Sequence, residues 1–178
     1  LDSVEDGPGI NDNGTGVAAV LETAVQLGAE PNITNAFRFA FWGVEELGLV
    51  GSAEYVEGLS DDERNDIALY LNFDMLGSEN AGYLAYDGDD SDEFGEGPGP
   101  EGSAGIERTF LEFYESQGID ADGTDFDGRS DYGPFIEYGI PSGGVFSGAD
   151  DVKTAEQAEK WGGEADAVHR VAEEFAIL

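Results

Sequence analysis

The sequence predicts an α/β fold, a mainly parallel sheet covered by helices on both faces. Three observations predict it. Strand-like apolar runs alternate with helical patterns along the chain. Those runs are apolar on successive residues, as in strands buried on both sides. The 178 residues suit a single domain, residues 1–178, with one sizeable core.

Residues 15–27, TGVAAVLETAVQL, place Val17, Val20, Leu21, Ala24 and Val25 on one helical face, with Gly28 as the stop. Residues 36–42, AFRFAFW, read as a strand covered on both faces. Residues 51–58 start a helix with Ser52 as its cap. Residues 67–74, IALYLNFD, form a second buried strand ending at Asp74, and residues 82–86 form another. A helix near 104–117 carries Ile106, Phe110, Leu111 and Phe113, and a short one near 131–138 leads into a turn and strand, GIPSGGVF. Helices near 154–161 and 165–176 close the chain. Residues 87–103 are acidic and rich in Gly and Pro, a solvated loop. As a calcium loop this stretch fails, with Asp92 where glycine is required and Pro98 where the bidentate glutamate belongs.

Forty acidic residues face seven basic ones, a formal net charge of −33. Such a charge repels nucleic acid and anionic membranes. It also opposes compaction in dilute salt, whereas in about 1 M salt the Debye length falls to about 3 Å and the repulsion is screened. Spread along the whole chain, the acidity points to life in concentrated salt. There is no cysteine, so disulfides and thiolate metal sites are excluded. No apolar run is long enough to span a bilayer, and the N-terminal residues LDSVEDGPGI have neither the basic nor the apolar part of a signal peptide.

Phosphate-binding glycine motifs fail: in GPGINDNGTG, Asp12 stands where the third glycine would be, and no P-loop is present. The stretch is a tight loop presenting Asp12 before a helix, or an ordinary cap with an Asx turn. Serine hydrolase chemistry needs a histidine base, and the one histidine, His169, falls in the last predicted helix, where a structural or solvated role is the plain reading. Carboxylates remain: Asp12, Glu45, Glu46 and Asp74. Glu45, Glu46 and Asp74 directly follow predicted strands, where sites of parallel sheets gather. Adjacent residues on an extended segment point to opposite sides, so Glu45 and Glu46 can serve different tasks. Clustered carboxylates call for cations or protons, and a divalent metal is the simplest neutraliser. A water acidified by that metal and deprotonated by a glutamate is a hydrolytic nucleophile. The plain alternative is a surface pair in a glutamate-rich chain.

Five stretches, LDSVEDGPGINDNGTGVAAVLETA, FRFAFWGVEELGLVGSAEYV, YLNFDMLGS, DGRSDYGPFIEYGIPSGGVFSGA and KTAEQAEKWGGEA, resemble in order the M28-type zinc aminopeptidases, most of all the small secreted leucine-preferring bacterial enzymes. The resemblance implies a three-layer α/β/α sandwich around a mixed, mostly parallel sheet, truncated here at its N-terminus. It implies two zinc ions, removal of N-terminal and often large apolar residues from peptides, a monomer, and an extracellular or cell-surface location. By position, it makes Asp12 the carboxylate bridging both metals, Glu45 the general base, Glu46 and Asp74 ligands to one metal each, and Asp2 the aspartate that orients a metal-binding histidine. Arg129 and Phe135 fall in the substrate-facing segment. A calcium ion elsewhere in so acidic a chain is a further expectation. The sequence departs from the family twice. The family has His-x-Asp where this chain reads Leu1-Asp2, and WGGEA runs straight into DAVHRVAEEF without the family's Tyr-His, so that His169 matches a final-helix position and not the ligand. Two expectations follow: a dinuclear zinc aminopeptidase of which this sequence is a part, or a non-catalytic cation- or peptide-binding relative with the same fold.

Overall fold

The structure is a computed structural model and describes residues 2–5, 7–29, 32–93 and 97–169. Its sheet has four strands, β1 (Tyr70–Phe73), β2 (Leu84–Tyr86), β3 (Asp122–Thr124) and β4 (Ser142–Phe146), in the spatial order β1-β4-β2-β3. β1 and β4 are parallel, β2 and β3 are parallel, and β2 meets β4 antiparallel. The sheet is therefore mixed with two of its three pairings parallel. The strand β3 left no mark in the sequence pattern, because DGT offers no apolar run.

Helices α1 (Gly16–Gly28), α2 (Val50–Gly58), α3 (Asp61–Asn65), α4 (Ser103–Ser116), α5 (Gly133–Glu137) and α6 (Ala155–Trp161) surround the strands. Side chains three apart on a strand face opposite ways, and Tyr70 and Phe73 report the two faces of β1. The Phe73 ring meets Phe110 of α4 edge-on at 6.2 Å, whereas Tyr70 stacks on Phe135 of α5 at 3.9 Å. Helix α4 thus covers one face and α5 the other, with α2 packed on α5 through Val56, Phe135 and Ile140. That is the three-layer arrangement. A second buried cluster, Tyr86, Phe126 and Tyr132, joins the first through Tyr70. Capping boxes at Ser60–Glu63 and Thr154–Gln157 satisfy the first amides of α3 and α6.

Several expectations fail in instructive ways. Residues 36–42 join no ladder, and Phe37 is 59% exposed, because no described strand lies against them. β1 is an edge strand rather than a buried one, with Leu69 and Leu71 exposed. Leu21 and Val25 on α1 are exposed as well. Ser52 does not cap α2; Leu49 occupies that position, and the Ser52 hydroxyl donates back to the Leu49 carbonyl. The loop that starts at residue 87 is not solvated at its root, since Asp87 is buried. Residues 165–169 form turns and one bridge, Val152 with Val168, in place of a helix, and residues 170–176 lie outside the described residues.

Candidate active site

Asp12 sits in a π-type turn, Ile10–Thr15, ahead of α1. Its neighbours sew that turn to the chain just after β1. The Asn13 amide accepts from Gly16 N and Met75 N and donates to the Phe73 carbonyl. Thr15 Oγ1 accepts from Leu76 N at 3.0 Å, and Asn11 Oδ1 accepts from Gly77 N at 3.2 Å. Gly16 completes the junction: a Cβ there would run into the Phe73 carbonyl and the Asn13 side chain. The asparagines on either side of Asp12 therefore fix it beside Asp74.

Glu45 and Glu46 lie on the turn before α2. Val44 and Leu49 hold left-handed conformations, at φ 62° and 58°, and the Glu45 carbonyl accepts from both Gly48 N and Leu49 N. Asp2 clamps the turn: its Oδ1 accepts from Glu45 N at 3.0 Å and its Oδ2 from Glu46 N at 3.3 Å. Partial burial pushes the Asp2 carboxyl up, but the amides of Glu45, Glu46 and Asp2 itself, together with the N-terminal charge, hold it below the usual range. What the structure gives Asp2 is thus a grip on the glutamate turn.

Asp12, Glu45, Glu46 and Asp74 line one cavity of about 730 Å³, together with Arg129, Ser130 and His169. Burial first, then the charges of Asp74, Asp131, Glu46 and Asp12, push Glu45 up to about 8. A divalent cation among these groups would act in the opposite direction. Burial likewise raises Asp74, against the hydrogen bond it accepts from Ser130 Oγ at 2.6 Å. Its other oxygen, Oδ1, is buried without a hydrogen-bond partner among the described residues. A buried carboxylate oxygen left in that state is costly unless a cation or proton meets it. Carboxylate oxygens of this kind are donors that a divalent cation accepts, although among the described residues no three of the cavity's carboxylate or imidazole groups bring ligand atoms within 4.8 Å of one another.

Two residues of this cavity were not assigned to it from the sequence. Ser130 ends a relay in which Trp42 Nε1 donates to Tyr70 OH, Tyr70 OH to Asn72 Oδ1, Asn72 Nδ2 to Ser130 Oγ, and Ser130 Oγ to Asp74. Small buried polar residues such as Asn72 and Ser130 have no periodicity to betray them. His169 is the second. It is 2% exposed, outside any described helix, and its Nδ1 lies 3.0 Å from the Asn80 carbonyl. Burial, the strongest influence, lowers its pKa.

Arg129 lines the cavity with its side chain largely exposed, 3.9 Å from Asp127 and 3.8 Å from Asp150. Phe135 lies elsewhere. It is 2% exposed in the core against Tyr70, Trp42 and Tyr55, on the face of α5 that the sheet covers, and is not part of the cavity lining. Away from the cavity, the Asp87, Asp89 and Glu107 oxygens lie within 4.8 Å of one another. Asp87 there accepts from Ser91 N and Asp92 N, and Glu107 from Gly88 N, so two of these carboxylates already tie the loop to itself and to α4.

The model of Peptidase family M28 matches residues 1–175. The chain is 64% identical over 169 residues to the probable lipoprotein aminopeptidase LpqL of Mycobacterium tuberculosis, covering 93% of this chain and 34% of that protein. It is 51% identical to leucine aminopeptidase 2 of Arthroderma otae over 164 residues, 92% of this chain and 32% of that one. Among solved structures, the zinc aminopeptidase BSAP from Bacillus subtilis superposes with a TM-score of 0.68 at 31% identity, covering 97% of this chain and 40% of that chain. The chain thus spans about a third of the length of the relatives it matches. With the family model running nearly end to end and the carboxylates of its motifs gathered around one cavity, the chain belongs to peptidase family M28.

Proposed function

We propose that this chain carries the catalytic cavity of a dinuclear zinc aminopeptidase that removes N-terminal, large apolar residues from peptides in concentrated salt. The observation that carries the reading is the convergence of Asp12, Glu45, Glu46 and Asp74 on one cavity in which an Asp74 oxygen is buried without a partner among the described residues. Asp12, Glu46 and Asp74 would hold the ions. Zinc bound there would polarise the peptide carbonyl and acidify a water molecule.

The chain's own groups do the rest. Glu45, pushed toward neutral values by burial and by its carboxylate neighbours, takes a proton from water, whose oxygen attacks the first peptide carbonyl carbon. As the carbon–nitrogen bond breaks, Glu45 returns that proton to the leaving amine. Asp2 keeps the Glu45 turn in register through its two amides. Ser130 orients Asp74. The surplus of carboxylates favours a substrate ammonium, and Arg129 at the rim offers a donor to the substrate's carbonyls.

The names of the relatives, an aminopeptidase and a leucine aminopeptidase, support the reaction class and the apolar preference. The word lipoprotein in the name of LpqL supports a location outside the cell or on its surface. No helix among the described residues is long and apolar enough to cross a membrane. The net charge of −33 supports the salt adaptation. The test is cleavage of a leucine-terminated peptide by the full-length protein in molar salt. Glu45→Gln is expected to lower kcat by about 10³-fold or more, in line with the loss of a general base and its place in the proton path. A kcat within a few-fold of the parent overturns the assignment of the base.

A further inference from the structure

The cavity has a floor and a mouth. Leu84, Tyr86 and Tyr132 line it and are buried. Asp127, Arg129, Asp150 and Asp151 line it too, but stand exposed to solvent. A peptide whose first residue reaches the floor must leave past this second group, so the charge there is met by whatever follows the scissile bond. In a chain of net charge −33, acidic side chains lie almost everywhere; what singles these out is their place on the exit path.

Among the described residues, Arg129 is the one Lys or Arg that lines the cavity, and it is bracketed. Its Nη1 lies 3.9 Å from an Asp127 oxygen and its Nη2 3.8 Å from an Asp150 oxygen. Asp127 is fixed in place: its Oδ1 accepts from the OH of buried Tyr132 at 2.8 Å and from Arg129 N at 2.9 Å. Two carboxylates against one guanidinium leave the bracket with a negative charge, and Asp151, next along the chain, adds another. Exposed pairs of this kind contribute little to stability; their effect falls on what approaches them. A clamp that reads the C-terminal carboxylate of a peptide needs a cation whose charge is not already met. Arg129 keeps its N–H donors for carbonyls but has no charge to spare.

We propose that this mouth sets the substrate class of the cavity: peptides of three or more residues that are neutral or cationic after the first, with free dipeptides and acidic second residues turned away. The inference rests on the function proposed above. In a dipeptide the C-terminal carboxylate sits on the residue directly after the scissile bond, and each further residue carries it about 3.5 Å outward. Its repulsion from Asp127, Asp150 and Asp151 therefore falls as the peptide lengthens, and falls steeply in concentrated salt, where only charges a few ångströms apart still feel one another. An amide or a lysine in the same place meets no such penalty.

The experiment uses the full-length protein with added zinc in molar salt and compares Leu-Gly with Leu-Gly-amide, which differ by one charge beyond the scissile bond. kcat/KM should favour the amide by about 3-fold or more, the repulsion left between charges about 5 Å apart at a protein surface once salt has screened them. The gap between acid and amide should close along the series Leu-Gly, Leu-Gly-Gly, Leu-Gly-Gly-Gly, and Leu-Lys-amide should outrun Leu-Glu-amide. Asp150→Asn with Asp151→Asn removes two exposed charges and should narrow the gap. Arg129→Gln removes the opposing charge and should widen it, even while the lost donor slows every peptide. A merely structural role would move acid and amide together. Equal kcat/KM for Leu-Gly and its amide, a gap that Arg129→Gln narrows, or one that the double asparagine variant leaves unchanged overturns the proposal. Full-length protein that cleaves none of these peptides overturns the function itself and the inference with it; equal cleavage of acid and amide overturns the mouth alone.

Discussion

Around the cavity, Asn11, Asn13, Asn72, Asn80 and Ser130 each make at least one side-chain hydrogen bond that links distant parts of the chain. On the flank formed by α1, residues 33–41 and β1, apolar side chains stand in the open: Leu21 is 55% exposed, Val25 59%, Phe37 59% and Leu71 38%. Residues 36–41 make no backbone–backbone hydrogen bond with the described residues. The two regions belong to one chain yet obey opposite rules. The cavity's asparagines and Ser130 find their partners among the described residues, whereas the apolar flank stays uncovered there. Site geometry and core closure are thus separable properties of this chain.

The strongest way to break that comparison is at Phe135, which the motif places near substrate and the structure places in the core. Truncating a buried, stacked phenylalanine costs about 3–5 kcal/mol. Phe135→Ala should therefore lose that much in denaturant unfolding. A variant with unchanged stability and a raised KM would return Phe135 to the substrate side.

Ser130→Ala sharpens the polar half. It leaves Asp74 with neither oxygen hydrogen-bonded by a side chain the structure assigns to it, and strips an acceptor from Asn72. Such a loss costs about 1–3 kcal/mol in stability. Because the hydroxyl also orients Asp74, zinc affinity should fall about 10-fold or more, while a serine-to-threonine exchange that keeps the hydroxyl should recover part of it. Equal zinc affinity in Ser130→Ala and parent would separate Ser130 from the site.

These residues explain what was legible. Asp12 precedes α1, Asp74 follows β1, and Glu45 and Glu46 lie on the turn before α2; all four fall in the motifs quoted from the sequence, which is why they could be gathered into one group before the cavity they line was seen. His169 was hidden by its surroundings: the residues after it read as an amphipathic helix, and the Asn80 bonds that hold it span 89 positions. The aromatic run 36–42 has strong β propensity, but a strand needs a neighbour, and propensity cannot report whether one is there. Phe135 was misplaced because an aromatic inside a site-bearing motif looks the same whether its ring faces substrate or Tyr70.

Glu107 tests a smaller electrostatic contrast. Burial first, and the Asp87 and Asp89 charges after the opposing Gly88 amide, raise its pKa above 4.5. A carboxyl raised on folding binds more protons in the native state, so its contribution is fully present below about pH 4.5 and is lost as pH rises through the native value. Glu107→Gln keeps an oxygen for Gly88 N and removes the charge. It should be more stable than the parent at pH 7 and lose that advantage near pH 4, with a gain of about 1 kcal/mol raising Tm by about 2–4 °C in a chain of this size. A variant less stable than the parent at pH 7 would mean that the charge is met by a cation.

The smallest expected effect bears most directly on the comparison. Leu21→Ser with Val25→Ser replaces side chains already more than half in solvent. Little apolar area returns to water, so in the 178-residue chain each change should stay within about 0.5 kcal/mol in urea unfolding. Dye binding to exposed apolar surface should drop at the same time, because the flank is where that surface lies. The same pair made in the full-length protein is the sharper measurement. If further chain covers the flank there, each substitution inserts a hydroxyl into an apolar contact, and the cost rises to about 2–5 kcal/mol. If the cost stays small in both, the flank is solvent-facing in the whole protein, and the exposure of Phe37 and Leu71 is a property of the finished fold.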